Sequence, residues 1–131
     1  MKILICDDHD TSRIVLSKYL ARYGTCTLVD NGAEAITTYA AAQRSGEPFS
    51  LVCIDILMPH MDGFNTLRSI RELEKAFLPN GADKLKVIMV TALDDTDNIH
   101  QAYSLGCDAY LMKPYTLQQV DDTLKTLGLI T

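Results

Sequence analysis

The sequence predicts a layered α/β fold in which a parallel sheet is covered by helices. Four short apolar runs, Ile3–Cys6, Leu51–Ile54, Val87–Val90 and Ala109–Met112, carry the first part of this expectation. Runs of this length and composition read as strands buried on both faces of a parallel sheet. Helical patterns separate them, so strand and helix alternate five times along the chain, which implies right-handed crossovers. Each run also stops on a polar residue: Asp7-Asp8, Asp55, Thr91 and Lys113-Pro114. Ligands of open α/β sheets bind outside the carboxyl ends of the strands. Three carboxylates, a hydroxyl and an ammonium, far apart in sequence, are therefore expected to meet in one pocket.

The elements follow in order. The first strand covers about residues 2–7, and the first helix about 11–23 with Asp10 as its expected N-cap. Ile14, Val15, Leu16, Tyr19 and Leu20 are spaced for one face of that helix, and Gly24 stops it. The second strand, Thr25–Val29, is weakly apolar and belongs nearer an edge. Asn31-Gly32 marks a turn, and the second helix runs over Ala33–Arg44, ending before Gly46 and Pro48. The third strand is Ser50–Asp55, and Met58-Pro59-His60-Met61-Asp62-Gly63 is a loop. The third helix covers about 64–76, with Phe64, Leu67, Ile70 and Leu73 at helical spacing, and Phe77–Lys84, with Pro79-Asn80-Gly81, reads as an exposed loop. The fourth strand is Lys86–Thr91, the fourth helix about Asp95–Leu105, closed by Gly106. The fifth strand is Asp108–Met112 and the fifth helix Thr116–Leu127, followed by Gly128.

A chain of 131 residues with 47% hydrophobic and 22% charged residues has the size and composition of one soluble domain. No apolar run approaches the roughly 20 residues of a membrane span, and only four apolar residues follow Lys2, so neither a membrane partner nor a signal peptide is expected. A cytoplasmic location follows as the expectation. The four cysteines are read as reduced packing residues, Cys6 and Cys53 because they lie inside buried strands and Cys26 and Cys107 because they have no CxxC or CxxH context. The net charge of −5 and the scattered Lys and Arg argue against direct contact with nucleic acid.

The strand ends define a chemistry. Two unit charges about 5 Å apart repel by about 3 kcal/mol at an effective dielectric near 20, so three neighbouring carboxylates call for a cation, shifted protonation, or both. Hard oxygen ligands with room for water suit Mg²⁺. Any one of Asp7, Asp8 and Asp55 alone would be an ordinary cap or turn residue; three ending central strands are not. Lys113 is a point charge suited to a phosphoryl oxygen, and a cis bond to Pro114 would aim it over the strand ends. Thr91 adds a hydroxyl donor. Together these parts suit phosphoryl transfer onto a carboxylate, a reaction governed by positioning and charge. His9, beside the pocket, reads as a solvated loop residue.

The ordered set Asp7-Asp8, Asp55, Met58-Pro59 to Asp62-Gly63, Thr91-Ala92 and Lys113-Pro114 resembles the receiver domains of two-component response regulators over residues 1 to about 127. The resemblance implies a flavodoxin-like (βα)5 sandwich with sheet order 2-1-3-4-5. It implies that Asp55 is the phosphoacceptor, that Asp7, Asp8, Asp55 and the Leu57 carbonyl hold Mg²⁺ (or Mn²⁺), and that Lys113 pairs with the phosphoryl oxygens. It further implies that Thr91 and Tyr110 form a switch, that the Lys113–Pro114 bond is cis, and that helix 4, strand 5 and helix 5 form a partner-binding face. The implied donor is a sensor histidine kinase or histidine phosphotransfer protein, with helix 1 as its docking side; the downstream protein stays unidentified and a phosphorylation-dependent dimer stays open. Residues 1–131 would form one receiver domain of the stand-alone type, with no output domain and no turnover of an external substrate. Compared with the shortest family members, several extra residues fall near Glu74–Lys84. Leu57 and Leu93, two residues past Asp55 and Thr91, are apolar, which implies slow-to-moderate loss of the phosphoryl group.

Three rival readings fit less of the chain. A dehalogenase-type phosphatase needs its acid two residues after the nucleophile on strand 1; Asp8-His9-Asp10 offers that spacing, but no cap insertion encloses a substrate. A flavin or nucleotide binder needs a Gly/Ser/Thr-rich phosphate loop where this chain has Asp-Asp-His-Asp. A degenerate receiver acting as an unphosphorylated scaffold would lack some of the site residues, and all are present.

Overall fold

The structure is a computed structural model that describes residues 1–81 and 84–131. Five strands and five helices alternate: β1 (Lys2–Cys6), α1 (Asp10–Leu20), β2 (Thr25–Val29), α2 (Gly32–Arg44), β3 (Leu51–Ile54), α3 (Gly63–Phe77), β4 (Lys86–Thr91), α4 (Thr96–Ser104), β5 (Ala109–Met112) and α5 (Leu117–Thr126). All the strand pairs are parallel and the sheet order is β2-β1-β3-β4-β5. β2 lies at an edge, as its weak apolar pattern predicts.

Alternation along the strands builds two cores. Leu4, Cys6, Val52, Ile54, Val87 and Met89 point to the face covered by α2, α3 and α4, where they meet Tyr39, Leu67, Ile70 and Ala102. Ile3, Ile5, Leu51, Cys53, Ile88 and Val90 point to the opposite face, against Leu16 and Leu20 of α1 and Val120 and Leu124 of α5. Burying a side chain such as Leu67 or Leu124 contributes about 2–3 kcal/mol. A one-residue slip of any central strand would exchange the two cores' residues, so the register is firmly set. Register in turn fixes the level at which each polar strand end leaves the sheet.

Helix ends show where local chemistry differs from expectation. Asp62, Asp95 and Thr116 cap α3, α4 and α5 by accepting from the third backbone N–H beyond them, and Thr116 forms a full capping box with Gln119. Asp10, expected as the cap of α1, is instead its first residue; His9 holds the cap position without a side-chain bond, and the Asp10 carboxylate pairs with Arg13. α1 also ends at Leu20, three residues early. The chain must turn there so that Thr25 N–H reaches the Met1 carbonyl at 2.9 Å, and a Cβ at Gly24 would lie only 2.1 Å from that oxygen. α3 runs one residue past expectation, to Phe77. The loop expected over Phe77–Lys84 starts with Leu78, whose carbonyl accepts from Gly81 N–H; Ala82 and Asp83 lie outside the described residues.

At the amino ends of β4 and β5, Arg71 of α3 forms a buried network. Its guanidinium donates to the carbonyls of Gly106 and Leu85 and to the carboxylates of Glu74 and Asp108, at 2.7–3.0 Å. The same carboxylates accept from Leu85 N–H at 2.7 Å and Val87 N–H at 2.8 Å. This ties α3 to the start of both strands. Among the described residues no helix is long and apolar enough to cross a membrane. All four cysteines are free; three are buried and Cys26 is half-buried.

Candidate functional site

The sheet register delivers the polar strand ends to one place. Cys6 is paired with Ile54, so Asp7 and Asp55 leave neighbouring strands side by side, and Asp55 N–H donates to the Cys6 carbonyl at 3.0 Å. Thr91 is paired with Met112, and Lys113 N–H donates to the Thr91 carbonyl at 2.8 Å. The Lys113–Pro114 peptide is cis. The structure therefore brings together Asp7, Asp8, Asp55, Thr91 and Lys113 at the carboxyl edge of the sheet.

One ammonium bridges two of the carboxylates. Lys113 Nζ donates to Asp7 Oδ2 at 2.7 Å and to Asp55 Oδ2 at 3.0 Å. Both aspartates are about 95% removed from solvent, at 5% and 4% exposure. Burial pulls the lysine's pKa down, but the bonds to Asp7 and Asp55 outweigh it, so it ends above its ordinary value. Backbone donors hold the other oxygens: His9 N–H to Asp7 Oδ1 at 2.9 Å and Leu57 N–H to Asp55 Oδ1 at 3.2 Å. Arg13 braces the loop from α1 by donating to the Asp7 carbonyl at 2.7 Å.

Asp8 is different. Its Oδ1 is buried yet has no hydrogen-bond partner among the described residues. Single ligand atoms of Asp7, Asp8, His9 and Asp55 lie within 4.8 Å of one another. A buried carboxylate oxygen without a donor, in a cluster of three carboxylates facing one ammonium, is the chemistry a hard divalent cation satisfies, so the residues fit Mg²⁺. Cys6, just beneath, offers no competing thiolate: burial, then the charge of Asp7, pushes its pKa up to about 12.

The neighbouring loops contact the site through Thr91 and Tyr110. Thr91 is fully buried, and its Oγ1 accepts from Leu93 N–H at 3.4 Å. Tyr110, half-buried on β5, donates its hydroxyl to the Leu93 carbonyl at 2.6 Å. Burial, followed by the nearby Asp95, raises the Tyr110 pKa to about 12, so the phenol stays a donor. Leu57 is 54% exposed beside Asp55.

Several participants have roles the sequence did not show. Gly63 begins α3 against the site: a Cβ there would lie 2.4 Å from the Asp55 carbonyl, and its N–H bonds the Ile56 carbonyl at 2.8 Å. In the sequence Gly63 belongs to the loop and to the ordered set that carries the resemblance, without this close approach to Asp55. Arg13, one turn into α1, and Leu93, as the acceptor for Tyr110, are visible only once the loops are folded.

Residues 3–125 match the model of the response regulator receiver domain. The chain belongs to that family. It is a receiver domain of two-component signalling; receiver domains as a class take phosphoryl groups from histidine kinases or phosphotransfer proteins and act as signalling modules rather than turning over an external substrate. It is 33% identical over 130 residues to the hybrid signal transduction histidine kinase L of Dictyostelium discoideum, an alignment covering 97% of this chain and 7% of that protein. It is 30% identical over 125 residues to the response regulator protein VraR of Staphylococcus aureus, covering 95% of this chain and 55% of that one. The chain thus spans less than two thirds of either relative. Among solved structures, the receiver domain of the histidine kinase CKI1 from Arabidopsis thaliana, complexed with Mg²⁺ and BeF₃⁻, superposes with a TM-score of 0.82 at 27% identity, covering 97% of this chain and 89% of that one.

Proposed function

We propose that this receiver domain accepts a phosphoryl group on Asp55 in a Mg²⁺-dependent reaction and converts it into a change on the face formed by α4, β5 and α5. The observation that carries the proposal is the Lys113 ammonium bridging Asp7 and Asp55 beside the free oxygen of Asp8. An Asp55 carboxylate oxygen attacks the phosphorus of a phosphohistidine on a sensor kinase or phosphotransfer protein. The P–N bond breaks, its electron pair and a proton restore the neutral imidazole, and an acyl phosphate forms on Asp55. A small phosphodonor such as acetyl phosphate would serve the same attack. Asp7, Asp8, Asp55 and the Leu57 carbonyl would hold Mg²⁺, or Mn²⁺, which would supply positive charge to offset that on the phosphoryl oxygens.

Phosphorylation adds about −1.5 to −2 charge units at this strand end. Lys113 can exchange its bond to Asp55 for one to the phosphoryl group, and Thr91 can offer its hydroxyl. Thr91 already holds Leu93 N–H, and Tyr110 holds the Leu93 carbonyl, so a shift at Thr91 competes with the bond that positions Tyr110. The Asp8 side of the site opens on a groove shared with Leu57, Pro59, Leu93 and Asn98, which gives a donor access.

Intact-mass measurement after incubation with acetyl phosphate and Mg²⁺ tests the site. The expected result is a gain of about 80 Da, one phosphoryl group, in the wild type and none in Asp55→Asn. An equal gain in both proteins would move the site elsewhere. Leu57 and Leu93, two residues past Asp55 and Thr91, offer no polar group to position water, so loss of the phosphoryl group should be slow to moderate; a half-life of seconds would contradict that role.

A further inference from the structure

His9 stands in the acidic cluster with no structural task assigned to its side chain. It occupies the cap position of α1 but makes no capping bond, and its side chain is 68% exposed. Its Nδ1 lies 3.2 Å from Asp8 Oδ1 and 3.5 Å from Asp7 Oδ1. Asp8 Oδ1 nonetheless has no hydrogen-bond partner among the described residues, so the imidazole nitrogen and that oxygen sit side by side without bonding each other. Neighbouring ligands on an octahedral ion with bonds of about 2.1 Å are about 3.0 Å apart, and opposite ones about 4.2 Å. The spacings here, up to 4.8 Å across Asp7, Asp8, His9 and Asp55, need only a small closure to match that pattern.

We infer that His9 is a direct ligand in the cation site and biases it toward nitrogen-preferring divalent transition ions over Mg²⁺. The inference rests on the reading of Asp7, Asp8 and Asp55 as a cation site. Carboxylates and water suit Mg²⁺, whereas imidazole suits Ni²⁺ and other later transition ions, which also bind mixed N/O sites more tightly. An imidazole beside three carboxylates makes a mixed site whose selectivity depends on one residue. The bond from the backbone N–H of residue 9 to Asp7 Oδ1, at 2.9 Å, needs no side chain and is kept in His9→Ala. Replacing the side chain therefore leaves the carboxylates in place.

Calorimetric titration of the full chain with Mg²⁺ and with Ni²⁺, on wild type, His9→Ala and Asp8→Asn, tests this, together with pulsed EPR of bound Cu²⁺, an imidazole-preferring ion. His9→Ala should weaken Ni²⁺ binding by about tenfold or more while Mg²⁺ affinity changes less than about twofold. The ¹⁴N modulation on Cu²⁺ should be present in the wild type and absent from His9→Ala. Asp8→Asn should weaken both ions. Unchanged Ni²⁺ affinity in His9→Ala, an equal loss for both ions, or no ¹⁴N modulation in the wild type would overturn the role of His9 while leaving the carboxylate site intact. Failure of the wild type to bind either ion would overturn the cation site, and the role of His9 with it.

Discussion

The two ends of the sheet each bury a charged cluster, and they are built on opposite terms. At the amino end, one guanidinium faces two carboxylates, and its three nitrogens and both acids are bonded to backbone or to each other. At the carboxyl end, one ammonium faces three carboxylates, and Asp8 Oδ1 is left without a donor among the described residues. A buried polar network that is fully satisfied holds the fold; one left incomplete is available to a ligand. The contrast separates a structural cluster from a functional one without reference to residue type.

Breaking the closed cluster should have the largest effect. Arg71→Met leaves Glu74, 2% exposed, without its cation and should cost about 3–5 kcal/mol of stability in urea unfolding. Phosphoryl uptake by the folded protein should be unchanged. A loss under about 1 kcal/mol would mean the network does not carry the stability its bonding suggests.

Changing the open cluster should do the reverse. Asp8→Asn removes one of three crowded negative charges, so in EDTA the variant should be about 1 kcal/mol more stable than the wild type. Mg²⁺ at ten times its Kd should then stabilise the wild type by about 1.4 kcal/mol and the variant far less. A wild type indifferent to Mg²⁺ in thermal unfolding would contradict the reading of the site.

The smallest effect belongs to a clasp between the turn after α1 and helix α5. Arg22 and the Tyr23 hydroxyl bond Asp121 at 2.7–2.8 Å and lower its pKa, the Arg22 bond contributing most. A carboxylate with a depressed folded pKa stabilises the fold above its unfolded value, and that contribution is lost as pH falls through the folded value. Asp121→Asn should therefore be slightly less stable than wild type near about pH 7, with the gap in Tm closing toward about pH 3. A gap of constant size would assign the effect to packing rather than charge.

Much of the architecture was legible because parallel strands are buried on both faces and stop abruptly. Leu51–Ile54 is continuously apolar and Asp55 is not, so both the strand and its polar end stand out. Tyr110 was legible only through its place three residues before Lys113. The Arg71 cluster was not legible, because its partners lie 3, 14, 35 and 37 residues away and share no pattern. The early end of α1 was hidden for a similar reason: it depends on where Met1 lies in the folded chain.

Helix α3 touches both clusters, and this has a consequence for chain length. Gly63 seats the helix on the Asp55 carbonyl, and Arg71, about 12 Å further along the axis, closes the network at the opposite end. One residue added or removed between them would turn Arg71 by about 100° and shift it along the axis by about 1.5 Å. The interval from Gly63 to Glu74 therefore works as a fixed gauge between the two ends of the sheet. Between Gly63 and Leu85, a change of chain length leaves that interval intact when it falls after Glu74, beyond the last residue of α3 that the network holds.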